Sequence, residues 1–398
     1  MKKKLLIILL SVLSLPLLAQ DDVTAADSLP WPRNLQAKID SILTTPLLQT
    51  SQLGLMVYDL TADSALYAYG HRQRLRPAST MKLLTAITAL HHLGAEYQLK
   101  TSLYHTGTIS NGTLRGDLHC IGGMDPMFDR ADMKAFVSRL RHLGIDTIRG
   151  SIVPDASFKD DKRLGEGWCW DDDNAPLTPL LFEGKDCFVD RLRQELLADG
   201  IVLIDSAAVT LSNVKRYITT RGHTLADVLP QMMKESDNLY AESVFYQLGT
   251  TDDAKSLRPS TAKAAASRVR QMIQRAGLQP GEYRVADGSG LSLYNYVTAE
   301  MEAMVLRYAY RNRSLYSHLA STLPIAGVDG TLKSRMKNTA AEGNVRAKTG
   351  SVTAVSTLAG YCTAANGHVL CFCIINQGVS RMSDGRQMQD QICEAMCQ

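Results

Sequence analysis

Two short apolar segments near the start of the chain predict a pair of strands. Residues 53–60 and 65–69 are mostly apolar, and the polar stretch 61–64 separates them, which is typical of two strands joined by a turn. A longer apolar run with few polar interruptions follows at 79–93. Because Gly94 comes directly after it and glycine is favoured just past a helix end, this run predicts a helix.

The pattern changes at about residue 99. Short segments broken by glycine follow, and the pair Asn111-Gly112 is typical of a hairpin turn. A helix is predicted over 131–143 from the helical spacing of Met133, Phe136 and Leu140, then a strand over 147–153 and a second helix over 188–197. We therefore expect an inserted smaller domain over 99–217.

After residue 218 the apolar spacing becomes helical again and then turns to strands. Helices are predicted over 224–234, 239–248, 261–276 and 298–310, strands over 346–350, 352–362 and 368–376, and a closing helix over 387–397. An antiparallel sheet with flanking helices and a helical cluster defines an α+β fold. Its main domain is expected to comprise 31–98 and 218–398.

The N-terminus has the composition of a secretory signal peptide. Lys2, Lys3 and Lys4 precede an apolar run over 5–18 that ends at Ala19, so a signal peptide is predicted over 1–19 and a linker over 20–30. The run is short for a membrane span, which needs about 20 residues, although an uncleaved anchor remains the alternative. We expect an exported or periplasmic protein with no stable membrane span after cleavage.

Charge and composition exclude some partners and cofactors. Without the three leader lysines the chain has 43 − 3 = 40 basic residues against 40 acidic ones, so no nucleic-acid partner is implied. The nine histidines and eight cysteines show no metal-ligand spacing. No metal or other cofactor is therefore predicted.

The cysteines could form disulfides in an exported chain. A two-residue turn at Asn366-Gly367 would set Cys362 opposite Cys371 on two paired strands, which makes them the most local candidate pair. The alternative is that both are buried free thiols, as free cysteine is usually buried.

The first candidate for chemistry is the start of the helix that follows residue 77. Ser79 and Lys82 are three residues apart, so they would share a helix face, and proline suits the opening turn. The amine could take the proton of the serine hydroxyl. On its own this Ser-x-x-Lys spacing is also common in ordinary helices.

Two later motifs make the chemical interpretation stronger. Ser236-Asp237-Asn238 lies between two predicted helices, and Lys348-Thr349-Gly350 enters a predicted strand. In this order, Ser-x-x-Lys, Ser-Asp-Asn and Lys-Thr-Gly are the three motifs of penicillin-recognising serine enzymes. Taken alone, the Ser-Asp-Asn motif could be an ordinary helix cap and the Lys-Thr-Gly motif an ordinary strand start. These explanations do not account for all three motifs occurring in this order.

The chemistry that fits the three motifs is acyl transfer. Ser79 would attack a peptide carbonyl to form an acyl-enzyme, with Lys82 as the base. Burial and the nearby cation of Lys348 would lower the pKa of Lys82 from its ordinary value of about 10.4 by about 3 units. Ser236 would pass the proton to the leaving amine. Asn238 would hold the substrate amide, and Lys348 and Thr349 would bind a carboxylate.

Further segments resemble the class C low-molecular-mass penicillin-binding proteins, the D-alanyl-D-alanine carboxypeptidase/endopeptidase family. They are 122–126, 167–172, 287–292 and 323–332, so the resemblance covers nearly all of the chain after the leader. It implies the serine penicillin-recognising fold, with an inserted domain between the first and second motifs. It also implies an oxyanion hole formed by the N–H groups of Ser79 and Ser351, and it places Asp172 at a position that faces the cleft.

The resemblance implies a periplasmic DD-peptidase that cuts D-Ala-D-Ala termini, D-amino-acid cross-links, or both. Its partners would be peptidoglycan peptides and, as covalent inhibitors, β-lactams. This chain is expected to differ from larger members of the family by lacking their extra β-rich subdomain. Only about fifteen residues separate Asp173 from the predicted helix at Phe188.

Two other functions stay open at the level of sequence. A β-lactamase shares the acylation step but needs fast deacylation, and no Glu-x-x-x-Asn type segment follows the second motif. A catalytically silent wall-binding protein would usually have lost at least one of the motif residues, which are all present here.

Overall fold

The structure is a computed structural model, and it describes residues 28–172, 174–205, 214–250 and 259–398. The predicted signal peptide 1–19 and most of the predicted linker lie outside these residues. Within the described ranges, no helix has both the length and the apolar character needed to cross a bilayer.

The described residues form helices and strands whose bounds are as follows. The helices are α1 (Arg33–Ile42), α2 (Met81–His92), α3 (Arg130–His142), α4 (Phe188–Ala198), α5 (Leu225–Lys234), α6 (Asn238–Leu248), α7 (Ala262–Arg275), α8 (Ala299–Arg311), α9 (Arg313–Thr322) and α10 (Met382–Cys397). The strands are β1 (Gln52–Asp59), β2 (Ser64–Tyr69), β3 (Gln98–His105), β4 (Thr108–Ser110), β5 (Thr113–Arg115), β6 (Leu118–Ile121), β7 (Thr147–Arg149), β8 (Ile152–Asp155), β9 (Val202–Ile204), β10 (Arg216–Thr224), β11 (Arg346–Val352), β12 (Val355–Thr363) and β13 (Val369–Gln377).

The main domain is built on a five-stranded antiparallel sheet in the order β11-β12-β13-β1-β2. Alternate residues of β13 enter different cores, because successive side chains of a strand point to opposite faces. Cys373 and Ile375 pack with the helical cluster of α2 and α5–α9, whereas Phe372 and Ile374 pack with α1 and α10. The predicted α+β fold, with helices on both faces of the sheet, is confirmed.

Helix α2 lies at the centre of the helical cluster. Every residue from Met81 to Leu90 is buried, which explains why its sequence is apolar on all sides rather than on one stripe. The helix packs against α5, α6, α7, α8 and α9. The residues just before and in its first turn are therefore held rigidly against the sheet.

The hairpin between β12 and β13 differs from the sequence prediction by one residue. Ala364 donates its N–H to His368 O, so the loop has three residues, 365–367, rather than two. As a result Tyr361, not Cys362, stands opposite Cys371. A one-residue change of register turns a side chain to the other face of the sheet, so Cys362 and Cys371 lie in different cores and the proposed pairing is wrong.

The inserted region has its own core and two four-stranded sheets, ordered β10-β3-β6-β8 and β4-β5-β7-β9. Phe128, Phe136 and Phe188 pack ring against ring at its centre. The strand β10 pairs with β3 as far as Thr224 opposite Gln98, so this sheet extends beyond the predicted boundary at 217.

The single strand predicted at 147–153 is divided between the two sheets of the insert. Its first part, β7, pairs with β5, and its second part, β8, pairs with β6. The chain crosses from one sheet to the other at Gly150, where a Cβ would lie 2.2 Å from the carbonyl oxygen of Gly116. The absence of a side chain there permits this close approach.

Candidate active site

Ser79 lies on a short 3₁₀ turn, Ala78–Thr80, that leads into α2. Ala78 has φ +47°, which is uncommon for a residue with a side chain. The strand β11 passes close to this turn at Gly350, where a Cβ would lie 2.8 Å from Ser79 N and 2.1 Å from Thr357 Oγ1. Glycine in the third motif therefore lets the strand approach the backbone of the serine.

Lys82 is in the first turn of α2 and directs its amine at Ser79. Its Nζ lies 3.0 Å from Ser79 Oγ, 2.7 Å from Asn238 Oδ1 and 2.9 Å from the carbonyl oxygen of Ser289. The side chain is fully buried. The amine thus has three oxygen partners, one of which is the serine hydroxyl.

Burial lowers the pKa of Lys82 to about 8, because the charged form has lost its hydration. The carboxylates of Asp287, Glu242 and Asp237 act in the opposite direction and raise it. Burial therefore acts on Lys82 as predicted. Repulsion between the two buried lysines disfavours having both charged, and it adds to the burial that holds the pKa of Lys348 well below its usual range.

The second and third motifs meet through one hydrogen bond. Lys348 is fully buried, and its Nζ donates to Ser236 Oγ at 2.8 Å and to Thr349 O at 2.8 Å. Ser236 has φ +63°, in the turn between α5 and α6. Asp237 caps α6 by accepting the N–H of Tyr240, so Asn238 begins that helix and is held in place beside Lys82.

The loop at 287–292 contacts the amine of Lys82 through the Ser289 carbonyl. This role was not predicted from the sequence. Asp287 accepts the backbone N–H groups of Gly290 and Ser292, the indole N–H of Trp168 and the amide of Asn295. These bonds fix the Ser289 carbonyl that accepts from Lys82. The sequence signal was the segment 287–292 itself, but spacing alone does not show that a backbone carbonyl faces a lysine.

Glu242 of α6 completes this support. Its Oε1 accepts the N–H groups of Gly288 and Ser289 at 3.0 and 2.8 Å. Burial, and then the charge of Asp287, raise the pKa of Glu242 to about 8. The carboxyl groups of Asp287 and Glu242 thus both bind the backbone of the segment whose Ser289 carbonyl accepts from Lys82.

A cavity of about 410 Å³ opens in front of the serine. It is lined by Ser79, Ser236, Thr331, Ser334, Arg335, Thr349, Gly350, Ser351, Ser356 and Arg386. Thr349 Oγ1 donates to Thr331 Oγ1 at 2.7 Å, and Arg386 reaches Ser351 Oγ at 3.5 Å. The lining of the cavity is therefore rich in hydroxyl groups, and Arg335 and Arg386 give it positive charge.

Asp172, the remaining predicted site residue, does not line this cavity. Its carboxylate accepts the N–H of Cys169 at 2.7 Å in a turn of the segment 167–172. The nearby Asn174 does reach the site, because its Oδ1 accepts from Asn238 Nδ2 at 3.1 Å. The structure therefore brings together Ser79, Lys82, Ser236, Asn238, Lys348, Thr349 and Ser351, whereas the role of Asp172 stays a prediction.

A buried amine on a serine hydroxyl, set beside a Ser-x-Asn turn and a Lys-Thr-Gly strand, defines the class of penicillin-recognising serine enzymes. Comparison with known proteins identifies the family. The model of the D-Ala-D-Ala carboxypeptidase 3 (S13) family matches residues 35–181 and 177–398. The chain belongs to this family, and it is a serine DD-peptidase of the class C penicillin-binding type.

Relatives match over nearly the whole chain. The D-alanyl-D-alanine carboxypeptidase DacB of Haemophilus influenzae is 26% identical, over 89% of this chain and 90% of its own length. The D-alanyl-D-alanine carboxypeptidase of an Actinomadura species is 27% identical, over 87% of this chain and 81% of its own.

A solved structure confirms the fold. The crystal structure of penicillin binding protein 4 (dacB) from Haemophilus influenzae has a TM-score of 0.79 at 24% identity, covering 89% of this chain and 97% of that one. The same protein in complex with a β-lactam has a TM-score of 0.72 at 24% identity, covering 89% and 98%.

Proposed function

We propose that this protein hydrolyses the D-Ala-D-Ala termini of peptidoglycan peptides, D-amino-acid cross-links between them, or both, through an acyl-enzyme on Ser79. The observation that carries the proposal is the 3.0 Å contact between Lys82 Nζ and Ser79 Oγ, made by a buried lysine with a lowered pKa. Membership of the family supports the substrate class.

In the first step the neutral Lys82 amine takes the proton of Ser79 as Oγ attacks the substrate carbonyl. The backbone N–H groups of Ser79 and Ser351 stabilise the oxyanion. Breakdown of the tetrahedral intermediate releases the amine, which receives its proton through the Ser236 hydroxyl that Lys348 holds. Water then attacks the acyl-enzyme and frees Ser79.

Substrate binding is assigned to the walls of the cavity. Asn238 is fixed by Lys82 on one side and by Asn174 on the other, and it presents the remaining N–H of its amide to the substrate backbone. Thr349, Ser351 and Lys348 bind the carboxylate of the substrate or of a β-lactam. Asp172 is proposed to meet an amino group of the peptide side chain.

We further propose that the chain is exported through the leader at 1–19 and acts in the periplasm, where its peptidoglycan substrate lies. The insert starting at 99 is proposed as a separate domain, supported by its own aromatic core. The pairing of β10 with β3 favours an end of this domain at Thr224 rather than 217.

The proposal is tested by incubating the purified protein with a pentapeptide ending in D-Ala-D-Ala and with a cross-linked peptide dimer. We expect release of D-alanine, cleavage of the dimer, or both, and loss of both activities in Ser79→Ala. Ser317→Ala removes an exposed hydroxyl on α9, outside the cavity, and is expected to retain activity. Turnover by Ser79→Ala equal to that of the unchanged protein would contradict the assignment.

The lifetime of the β-lactam adduct separates this function from that of a β-lactamase. A DD-peptidase is expected to hold the penicilloyl group for much longer than its turnover time on peptide. Rapid, catalytic release of hydrolysed penicillin would favour the β-lactamase alternative.

A further inference from the structure

A buried carboxyl group lies directly beneath the turn that carries Ser79 and takes no part in the chemistry described above. Glu302 of α8 is 1% exposed. Its Oε1 lies 2.8 Å from the hydroxyl of Thr80, the residue that follows the serine, and its Oε2 lies 3.3 Å from the thiol of Cys373.

The hydroxyl of Thr80 has a second close partner. Thr80 Oγ1 lies 2.7 Å from the carbonyl oxygen of Pro77, which also accepts from Thr357 Oγ1 at 2.8 Å. These contacts tie the two ends of the turn Pro77–Thr80 to each other and to the sheet. The turn contains Ala78, whose φ of +47° is a conformation that the surrounding contacts must hold in place.

Counting protons shows which form of Glu302 fits these contacts. Thr80 has one hydroxyl proton and Pro77 O can only accept, so the Thr80 proton belongs to Pro77. The 2.8 Å contact between Thr80 and Glu302 then needs a proton from the carboxylic acid. With Glu302 neutral, the thiol of Cys373 donates to Oε2, the acid O–H donates to Thr80, and Thr80 donates to Pro77.

If Glu302 were ionised, this series of hydrogen bonds could not form. The carboxylate would compete with Pro77 for the single Thr80 proton, and one of the two short oxygen–oxygen contacts would be left without hydrogen. We propose that Glu302 is a positioning residue, which in its neutral form holds the Ser79 turn in the reactive geometry and which releases that turn when it loses its proton. The proposal rests on the function assigned to Ser79.

The surroundings of Glu302 disfavour its charged form, so that it ionises near physiological pH rather than in the acidic range. Burial raises the pKa of Glu302 to about 7. The nearest titratable groups on the facing strand β13 are thiols, Cys373 and Cys371. Burial raises the pKa of both, and Glu302 adds to the effect on Cys373.

Within the described ranges, no cation forms an ion pair with Glu302. On α2, Lys82 directs its amine to Ser79, Asn238 and Ser289. On β1 and β12, two further elements packed against α8, the hydroxyl of Tyr58 donates to Asp63 and that of Tyr361 donates to Leu306 O. These ionisable side chains therefore have partners other than Glu302.

The test is the rate of acylation by penicillin between pH 6 and pH 9, measured for the unchanged protein and for Glu302→Gln. The amide of glutamine can donate to Thr80 and accept from Cys373, but it does not ionise. The ratio of the two rates is expected to rise about tenfold between pH 6 and pH 8, because a group with a pKa of about 7 is mostly ionised at pH 8. The titration of Lys82 cancels in this ratio.

Glu300→Gln is the matched control, since Glu300 lies on the same helix and pairs with Arg72 near the surface. The ratio of its acylation rate to that of the unchanged protein is expected to stay constant with pH. Thr80→Val provides a second test that does not depend on the folding of Glu302→Gln. Because this variant lacks the hydroxyl that couples Glu302 to Pro77, its ratio is also expected to rise with pH.

A ratio for Glu302→Gln or Thr80→Val that stays flat from pH 6 to pH 9 would overturn the inference. That outcome differs from failure of the proposed function, in which the unchanged protein would not be acylated at Ser79 at any pH.

Discussion

The amine of Lys82 lies 3.0 Å from the hydroxyl of Ser79, and the carbonyl of Ser289 and the amide of Asn238 hold it there. The lysine is in the first turn of a helix that is buried from Met81 to Leu90, so its position is set by packing as well as by hydrogen bonds. A buried amine with these partners is suited to accept a proton from the serine.

The first prediction concerns Lys82 as the base. Lys82→Met keeps a similar length and apolar stem but removes the amine, so acylation by penicillin is expected to fall by about 10²–10⁴-fold, the usual contribution of general base catalysis. Lys337→Met, at an exposed position, is the control and should leave the rate unchanged. Stopped-flow measurement of both rates checks this, and a loss of less than tenfold in Lys82→Met would contradict the role.

The second prediction is the pH profile of acylation in the unchanged protein. Because the reactive form of Lys82 is neutral and its pKa is about 8, the rate is expected to increase as the pH rises through this value. Because the reactive form of Glu302 is protonated and its pKa is about 7, the rate is expected to decrease as the pH rises through that value. The product of the two is a bell with its maximum between about pH 7 and pH 8.

Substitution of Glu302 shows whether this residue causes the fall in rate on the alkaline side of the profile. In Glu302→Gln the profile is expected to become a single rise to a plateau above about pH 8. A bell that persists unchanged in Glu302→Gln would show that another group controls the alkaline limb.

The third prediction tests the close packing of β11 against the serine turn. In Gly350→Ala the new methyl group would lie 2.1 Å from Thr357 Oγ1 and 2.8 Å from Ser79 N, so the strand and the turn must move apart. We expect a loss of about 1–3 kcal/mol in the free energy of unfolding and slower acylation. Gly281→Ala, where a Cβ would meet nothing within 4 Å, is the control for both measurements.

The three motifs and the α+β architecture could be predicted from the sequence because both rest on local patterns. The spacing of Ser79 and Lys82 places them on one helix face, and the apolar segments mark the strands. What failed was the register of one hairpin, where a three-residue loop replaced the expected two-residue turn at Asn366-Gly367. The length of this loop decides which face of the sheet Cys362 occupies. The residues around Asn366-Gly367 are compatible with a loop of either two or three residues.

Other parts of the site could not be predicted because they depend on contacts between distant segments. The Ser289 carbonyl meets Lys82 across 207 residues, and Glu302 meets Thr80 across 222. Neither contact uses a side-chain pattern that stands out in the sequence, since one partner is a backbone atom and the other is one of two glutamates in the same helix.

The fourth prediction follows from the observed hairpin register. Cys362 and Cys371 lie in different cores on opposite faces of the sheet, so no disulfide between them is expected. Peptide mapping of the unreduced protein by mass spectrometry checks this. A linked pair of peptides containing Cys362 and Cys371 would show that the register is wrong.

The central claim is that Ser79 is the nucleophile, and mapping the site of penicillin acylation tests it most directly. After incubation with penicillin, the intact protein is expected to gain the mass of one penicilloyl group, and fragmentation of its peptides should place that mass on Ser79. Ser79→Ala should gain none. A penicilloyl group on any other residue, or an equal mass gain in Ser79→Ala, would contradict the account.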